Sequence, residues 1–165
     1  MRHPTPRPTV GGSRESTKGF TVANTPALHD ECVEAARLVR AAREQLVADE
    51  PWVTYAQLAA SRVQSEAATR RWVGRLRKAG HLVTVEHQGR VLVPAFQFDD
   101  TYQPVPTVRD AVHRLTEFGL SGWVVWRWFT AVNPSLNAPP VTLIDEKQSA
   151  RLSGAVDALV SARDS

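Results

Sequence analysis

Five cations stand between Glu66 and Lys78: Arg70, Arg71, Arg75, Arg77 and Lys78. Guanidinium groups at this density are suited to gripping phosphates, or to bridging O6 and N7 of guanine with a planar fork. At 3.6 residues per turn, Ala67, Arg70, Arg71, Gly74, Arg77 and Lys78 fall on one side of a helix. Ala68, Trp72, Val73, Leu76 and Ala79 fall on the other. An apolar anchor behind, with small residues and arginines in front, suits a helix that enters a DNA major groove. Arg70 and Arg71 are the candidates for base edges, with Ser65, Glu66, Ala67 and Thr69 beside them. Arg62, Arg75, Arg77, Lys78 and Arg90 are the candidates for phosphate contacts, which position a protein without reading sequence. The same face has two other readings: a solvated surface, or a basic helix that docks on an acidic protein.

The flanking residues supply the elements that would hold this helix. Thr54 with Gln57 forms a capping signature for a preceding helix, and Ser65 can cap the basic one. Together they predict a helix, a four-residue turn and a second helix. Gly80 fits the left-handed position that closes a helix. Leu82 to Glu86 and Arg90 to Val93 then read as two short strands around His87-Gln88-Gly89, a hairpin that would form a wing whose tip (His87, Gln88, Arg90) approaches DNA. Upstream, Pro26 begins a helix that Pro51 ends. Cys32, Ala36, Val39, Ala42 and Leu46 form its stripe, suited to packing on a neighbour or on a second copy of the chain. Cys32 itself is expected to be a small core residue.

Charge is unevenly spread over the 165 residues, whose net charge is +3. From Thr54 to Arg90, seven Arg and Lys face two acids, whereas from Thr101 to Ser165 there are six of each sign. The basic middle points to an anionic partner for that part alone. One cysteine excludes an internal disulfide or a cysteine-rich metal site. The five histidines show no metal-ligand spacing, and HExxH, GxSxG, GxGxxG and P-loop motifs do not occur. Asp99-Asp100 is a poor carboxylate pair because adjacent side chains point apart. No enzyme activity, cofactor or metal is expected. Without a membrane span or a signal-peptide core, the expected location is cytoplasmic and nucleoid-associated.

Residues 1–24, with three prolines, three glycines and four basic residues, read as a disordered basic tail. Beyond Pro104 and Pro106, Thr107 is expected to cap a helix that Gly119 stops. Ser121 opens a second, GWVVWRWFTAV, apolar nearly all round and so expected to be buried on several sides, as a central core helix or under a partner chain. Asn133-Pro134 breaks it. A short helical turn from Pro140 and a last helix over 146–162 follow, the latter signalled by Asp145 with Gln148 and striped by Leu152, Ala155, Val156 and Leu159. Gly154 inside that helix hints at close packing.

The segment 91–163 resembles the Xre/MbcA/ParS-type antitoxins. The likeness rests on a tryptophan-bearing helix, an Asn-Pro break, a short apolar turn and a closing helix, here Trp126, Trp128, Phe129, Asn133, Pro134, Leu136, Pro140, Leu143 and Ile144. It departs in having Asn137-Ala138-Pro139 where a glycine usually precedes the proline, and in a shorter DNA-binding part that ends in a hairpin. The resemblance implies a helical domain that binds a RES-type toxin, and repression of the chain's own operon. It implies partner contacts at Trp126, Arg127, Arg151, Leu159, Arg163 and Ser165.

These observations predict a mainly α protein: a winged helix-turn-helix with a short β-hairpin, then a small helical C-terminal domain. The expected divisions are 1–24, 25–98 and 99–165. The expected function is sequence-specific binding of double-stranded DNA by a homodimeric antitoxin and autorepressor. The alternative is a protein-interaction module or a stand-alone transcriptional or nucleoid regulator without a toxin.

Overall fold

A computed structural model describes residues 26–162. The expected tail, Arg163 and Ser165 lie outside them. The protein is mainly helical, with elements α1 (Pro26–Asp49), β1 (Trp52–Val53), α2 (Tyr55–Ser61), α3 (Glu66–Lys78), β2 (Val85–His87), β3 (Arg90–Pro94), α4 (Pro106–Glu117), α5 (Gly122–Thr130) and α6 (Ser149–Ser161). Short 3₁₀ turns occupy Ala95–Gln97, Pro140–Leu143 and Glu146–Gln148. Contacts divide the chain into two units, 1–37 and 38–165, and α1 belongs to both.

A helix-turn-helix (α2, α3) leads into a three-stranded antiparallel sheet in the order β1-β3-β2. The hairpin β2–β3 turns at Gln88-Gly89, where φ is +49° and +73°, and pairs His87 with Arg90. Two successive positive φ values make the tight turn that matches the twist of the strands, and glycine takes the second at no steric cost. β1 is an addition to the sequence reading. Its two residues pair with Pro94 and Val93 of β3 and are too few to show a period-2 pattern.

The sheet separates two apolar clusters, because successive side chains of a strand point to opposite faces. Val93 joins Val53, Leu58, Val73, Leu82 and Phe98 beneath the helix-turn-helix. Its neighbour Leu92 joins Val85, Phe96, Val112, Leu115, Trp126, Phe129 and Val156 of the larger cluster. Side chains from both sides of the expected boundary at 98/99 share the larger cluster. Gln97, 3% exposed, locks the junction: its Nε2 donates to the carbonyls of Val83 and Pro94, and its Oε1 accepts from Val83 N–H at 2.7 Å.

Several local expectations are corrected. Pro106, rather than a Thr107 cap, opens α4, and Thr107 Oγ1 donates to the Ile144 carbonyl at 2.6 Å instead. α5 buries Val125, Trp126 and Phe129, but Val124 is 48% exposed, so one of its faces is open. Gly154 is exposed, and a Cβ there would meet nothing within 4 Å. Close approach occurs at Gly122 instead, where a Cβ would lie 2.5 Å from the Thr84 carbonyl oxygen. Cys32 is exposed. Alanine-rich spacing marks a helix face without saying what covers it.

Candidate nucleic-acid interface

The basic helix is fixed at its start and from behind. Thr54 Oγ1 accepts from Gln57 N–H while Gln57 Oε1 accepts from Thr54 N–H, a reciprocal cap on α2. Ser65 Oγ accepts from Ala68 N–H at the start of α3. Gly80, at φ +70°, ends α3, and His81 N–H closes back on the Leu76 carbonyl. Thr69 and Val73 are buried, while Trp72 and Leu76 are half-buried against the same cluster. Trp72 stacks on Phe98 at 6.1 Å.

With this face inward, Ala67 and Gly74 lie along the middle of the outer surface. Arg70 and Arg77 flank them on one side, Arg71 and Lys78 on the other. Arg75 is exposed at the edge. Among the described residues, Arg71, Arg75, Arg77 and Lys78 make no ion pair. Arg70 is held: its Nε and Nη2 donate to Glu66 Oε1, and its guanidinium carbon lies 4.7 Å from the centroid of Tyr55. Glu66 in the first turn and Arg75, Arg77 and Lys78 in the last also complement the helix dipole.

Helix and wing meet at one groove. It is lined by Thr54, Tyr55 and Ala56 of α2 and its cap, Glu66 and Arg70 of α3, and Gly89, Arg90 and Val91 of the hairpin. Arg70 and Arg90, 20 positions apart in the sequence, thus share a concave wall of mixed charge. Sequence reasoning missed Tyr55 as part of this wall; an aromatic four residues after the helix-breaking Pro51 has no spacing signal of its own.

Three expected contacts at this face are corrected. Thr69 is fully buried, since 100° per residue sets it between Trp72 and Val73, and its hydroxyl finds no partner. Arg62 is half-buried, with its guanidinium carbon 3.8 Å from the Trp72 centroid and Nη1 donating to the Tyr102 carbonyl. It braces the anchor and is not free to hold a phosphate. His87 turns its ring edge to Trp123 at 6.1 Å, leaving Gln88 and Arg90 as the exposed tip.

The C-terminal candidates do not form one surface. Trp126 is fully buried and Leu159 packs on the larger cluster. Trp126 is a core residue, as are Phe129, Leu136, Pro140 and Leu143 of the antitoxin-like pattern, and Leu159 is half-buried at the edge of that core. Arg127 is exposed. Arg151 is also exposed and donates to Gln148 Oε1 and the Leu136 carbonyl. Asp99 anchors a turn: the Thr101 hydroxyl first, then the Gln103 and Thr101 N–H groups, hold its carboxyl below the ordinary carboxylate range. No helix among the described residues is long and apolar enough to cross a membrane.

No family model matches the chain, and no curated protein matches it. Among solved structures, it is similar to the NMR structure of Rv2175c, with a TM-score of 0.54 at 22% identity over 69% of this chain and 82% of that one. Likeness at that identity shows a shared fold and assigns no family.

Proposed function

We propose that the chain binds double-stranded DNA with α3 in the major groove and the β2–β3 wing on the backbone, and that it acts as a sequence-selective transcriptional regulator. One observation carries this: the outer face of α3 sets Ala67 and Gly74 between four exposed cations, three of which have no partner among the described residues. A glycine inside a helix costs about 1 kcal/mol relative to alanine. Nothing within 4 Å of a Cβ at Gly74 requires it for packing. A bare backbone at that position suits close approach to a base-pair edge. Arg70, oriented by Glu66 and Tyr55, and Arg71 read bases; Arg75, Arg77, Lys78 and Arg90 hold phosphates. The chain is a binding protein rather than an enzyme. The deciding experiment is a polarisation titration against the DNA upstream of its own gene. Saturable, sequence-selective binding supports the proposal, and no binding at low salt overturns it.

A narrower form of the proposal makes the chain an antitoxin and autorepressor with a RES-type toxin as partner. It is supported by the residue pattern over 91–163, whose described part folds as helix, Asn-Pro break, apolar turn and closing helix. Its test is genetic: a neighbouring gene should encode a product that is toxic alone and neutralised by co-expression of this chain. A neighbour that is harmless alone counts against it.

A further inference from the structure

We propose that the apolar groove between the second half of α1 and α5 is where two copies of this chain associate, the partner's α1 lying antiparallel along it. The walls of the groove are Val39, Ala42 and Leu46 on α1 and Trp123, Val124 and Trp128 on α5. Its rim is cationic. Arg43 lies 5.1 Å from the Trp123 centroid, and Arg127 is exposed beside it. Within residues 38–162, the exposed large apolar side chains are Leu38, Val39, Val124 and Val132, all on α1 or at α5, and Val63 in the helix-turn-helix turn.

α1 itself has the composition of the missing occupant. Every residue from His29 to Gln45 is exposed, and Leu46 is the first to be buried. A helix with so little of its surface covered is marginal in water unless tertiary or quaternary packing supports it. Cys32, Ala35, Val39, Ala42 and Leu46 recur at alternating spacings of three and four, the repeat by which one helix seats against another. Cysteine and alanine at these positions let two helices come close.

Charge selects the direction. Asp30, Glu31 and Glu34 make the start of α1 acidic and Arg37, Arg40 and Arg43 make its middle basic, ahead of Glu44 and Asp49. Parallel pairing would set like charges together. Antiparallel pairing lays the acids of one copy against Arg40, Arg43 and Arg127 of the other. About a two-fold axis this contact is made twice, which closes the assembly at a dimer.

Sedimentation equilibrium of the full chain without DNA tests the proposal, so its failure and that of the DNA-binding reading are distinguishable. The expected result is a concentration-dependent dimer. Val124→Glu and Val39→Lys, both at exposed positions, should each raise the dissociation constant at least about 30-fold with unchanged far-UV circular dichroism. Arg43→Glu should weaken the dimer, and adding Glu31→Arg should restore it. A monomer at every concentration overturns the proposal and leaves the groove to a different partner. A dimer that none of these substitutions disturbs overturns it too, because its interface lies elsewhere.

Discussion

Arg70 and Lys78 lie on one helix face, yet they are expected to fail differently when truncated. A bidentate arginine contact to guanine contributes about 1–3 kcal/mol of discrimination against the wrong base, or about 5- to 150-fold. Arg70→Ala should therefore lower affinity for a preferred site by that range and leave affinity for scrambled duplex nearly unchanged. The loss should not be a folding effect. The Glu66–Arg70 pair is about half exposed, at 45% and 58%, and an exposed pair of this spacing contributes about 0.3–0.5 kcal/mol to stability. The stack on Tyr55 adds about 0.5–1 kcal/mol, which is small beside the stability of a domain. Lys78, exposed in the last turn, makes no ion pair among the described residues that would orient it. Lys78→Ala should weaken all duplexes alike and flatten the slope of log K against log salt by about 1. The assay is fluorescence polarisation on two duplexes, one selected from a random library by the wild-type protein and one scrambled, across a salt series. Equal losses on both duplexes for both variants would refute the assignment of base reading to one and phosphate holding to the other.

Four further substitutions test the supporting structure. Gly122→Ala forces a methyl group against the Thr84 carbonyl and should destabilise the fold by about 1–3 kcal/mol in urea denaturation. Gln97→Leu strands the Val83 N–H and two carbonyls, and should cost about 3 kcal/mol in the same measurement. Arg62→Ala should destabilise by about 2 kcal/mol through loss of the Trp72 stack and the Tyr102 hydrogen bond, while leaving the salt slope of DNA binding unchanged. Thr69→Val replaces a buried hydroxyl that has no partner with a methyl of the same shape. It should stabilise by about 1 kcal/mol and leave DNA affinity intact.

The parts legible in the sequence were those governed by neighbours in the chain. The Thr54–Gln57 box, the Ser65 cap and the Gln88-Gly89 turn each depend on interactions within a few residues, and the structure contains all three. The inward register of Trp72, Val73 and Leu76 followed from helical periodicity alone. What stayed hidden depends on distant partners. Thr69 is the exception: its place as a base-edge neighbour rests on its closeness to Arg70 in the chain, whereas the helical turn of 100° per residue sets it inward between Trp72 and Val73. Arg62 looked like one more cation until Trp72 and Tyr102 came within reach of it. Trp126 resembles a partner contact in sequence but is fully buried, because a resemblance carries residue types but not their exposure. The pairing of β1 with β3 needed the fold itself.

Leu92 and Val93 are consecutive residues that face different neighbourhoods, and the thin sheet they belong to works as a party wall. Cutting the chain after Phe98 would strip one side of that wall, leaving Val85, Leu92 and Phe96 to open water. A graft that borrows the helix-turn-helix and hairpin alone would therefore inherit a sticky flank, whereas one carrying residues 38–162 would keep that flank covered. The same wall ties the tip of the hairpin to α5 through His87 and Trp123. Whatever tilts α5 will be felt at the tip of the wing.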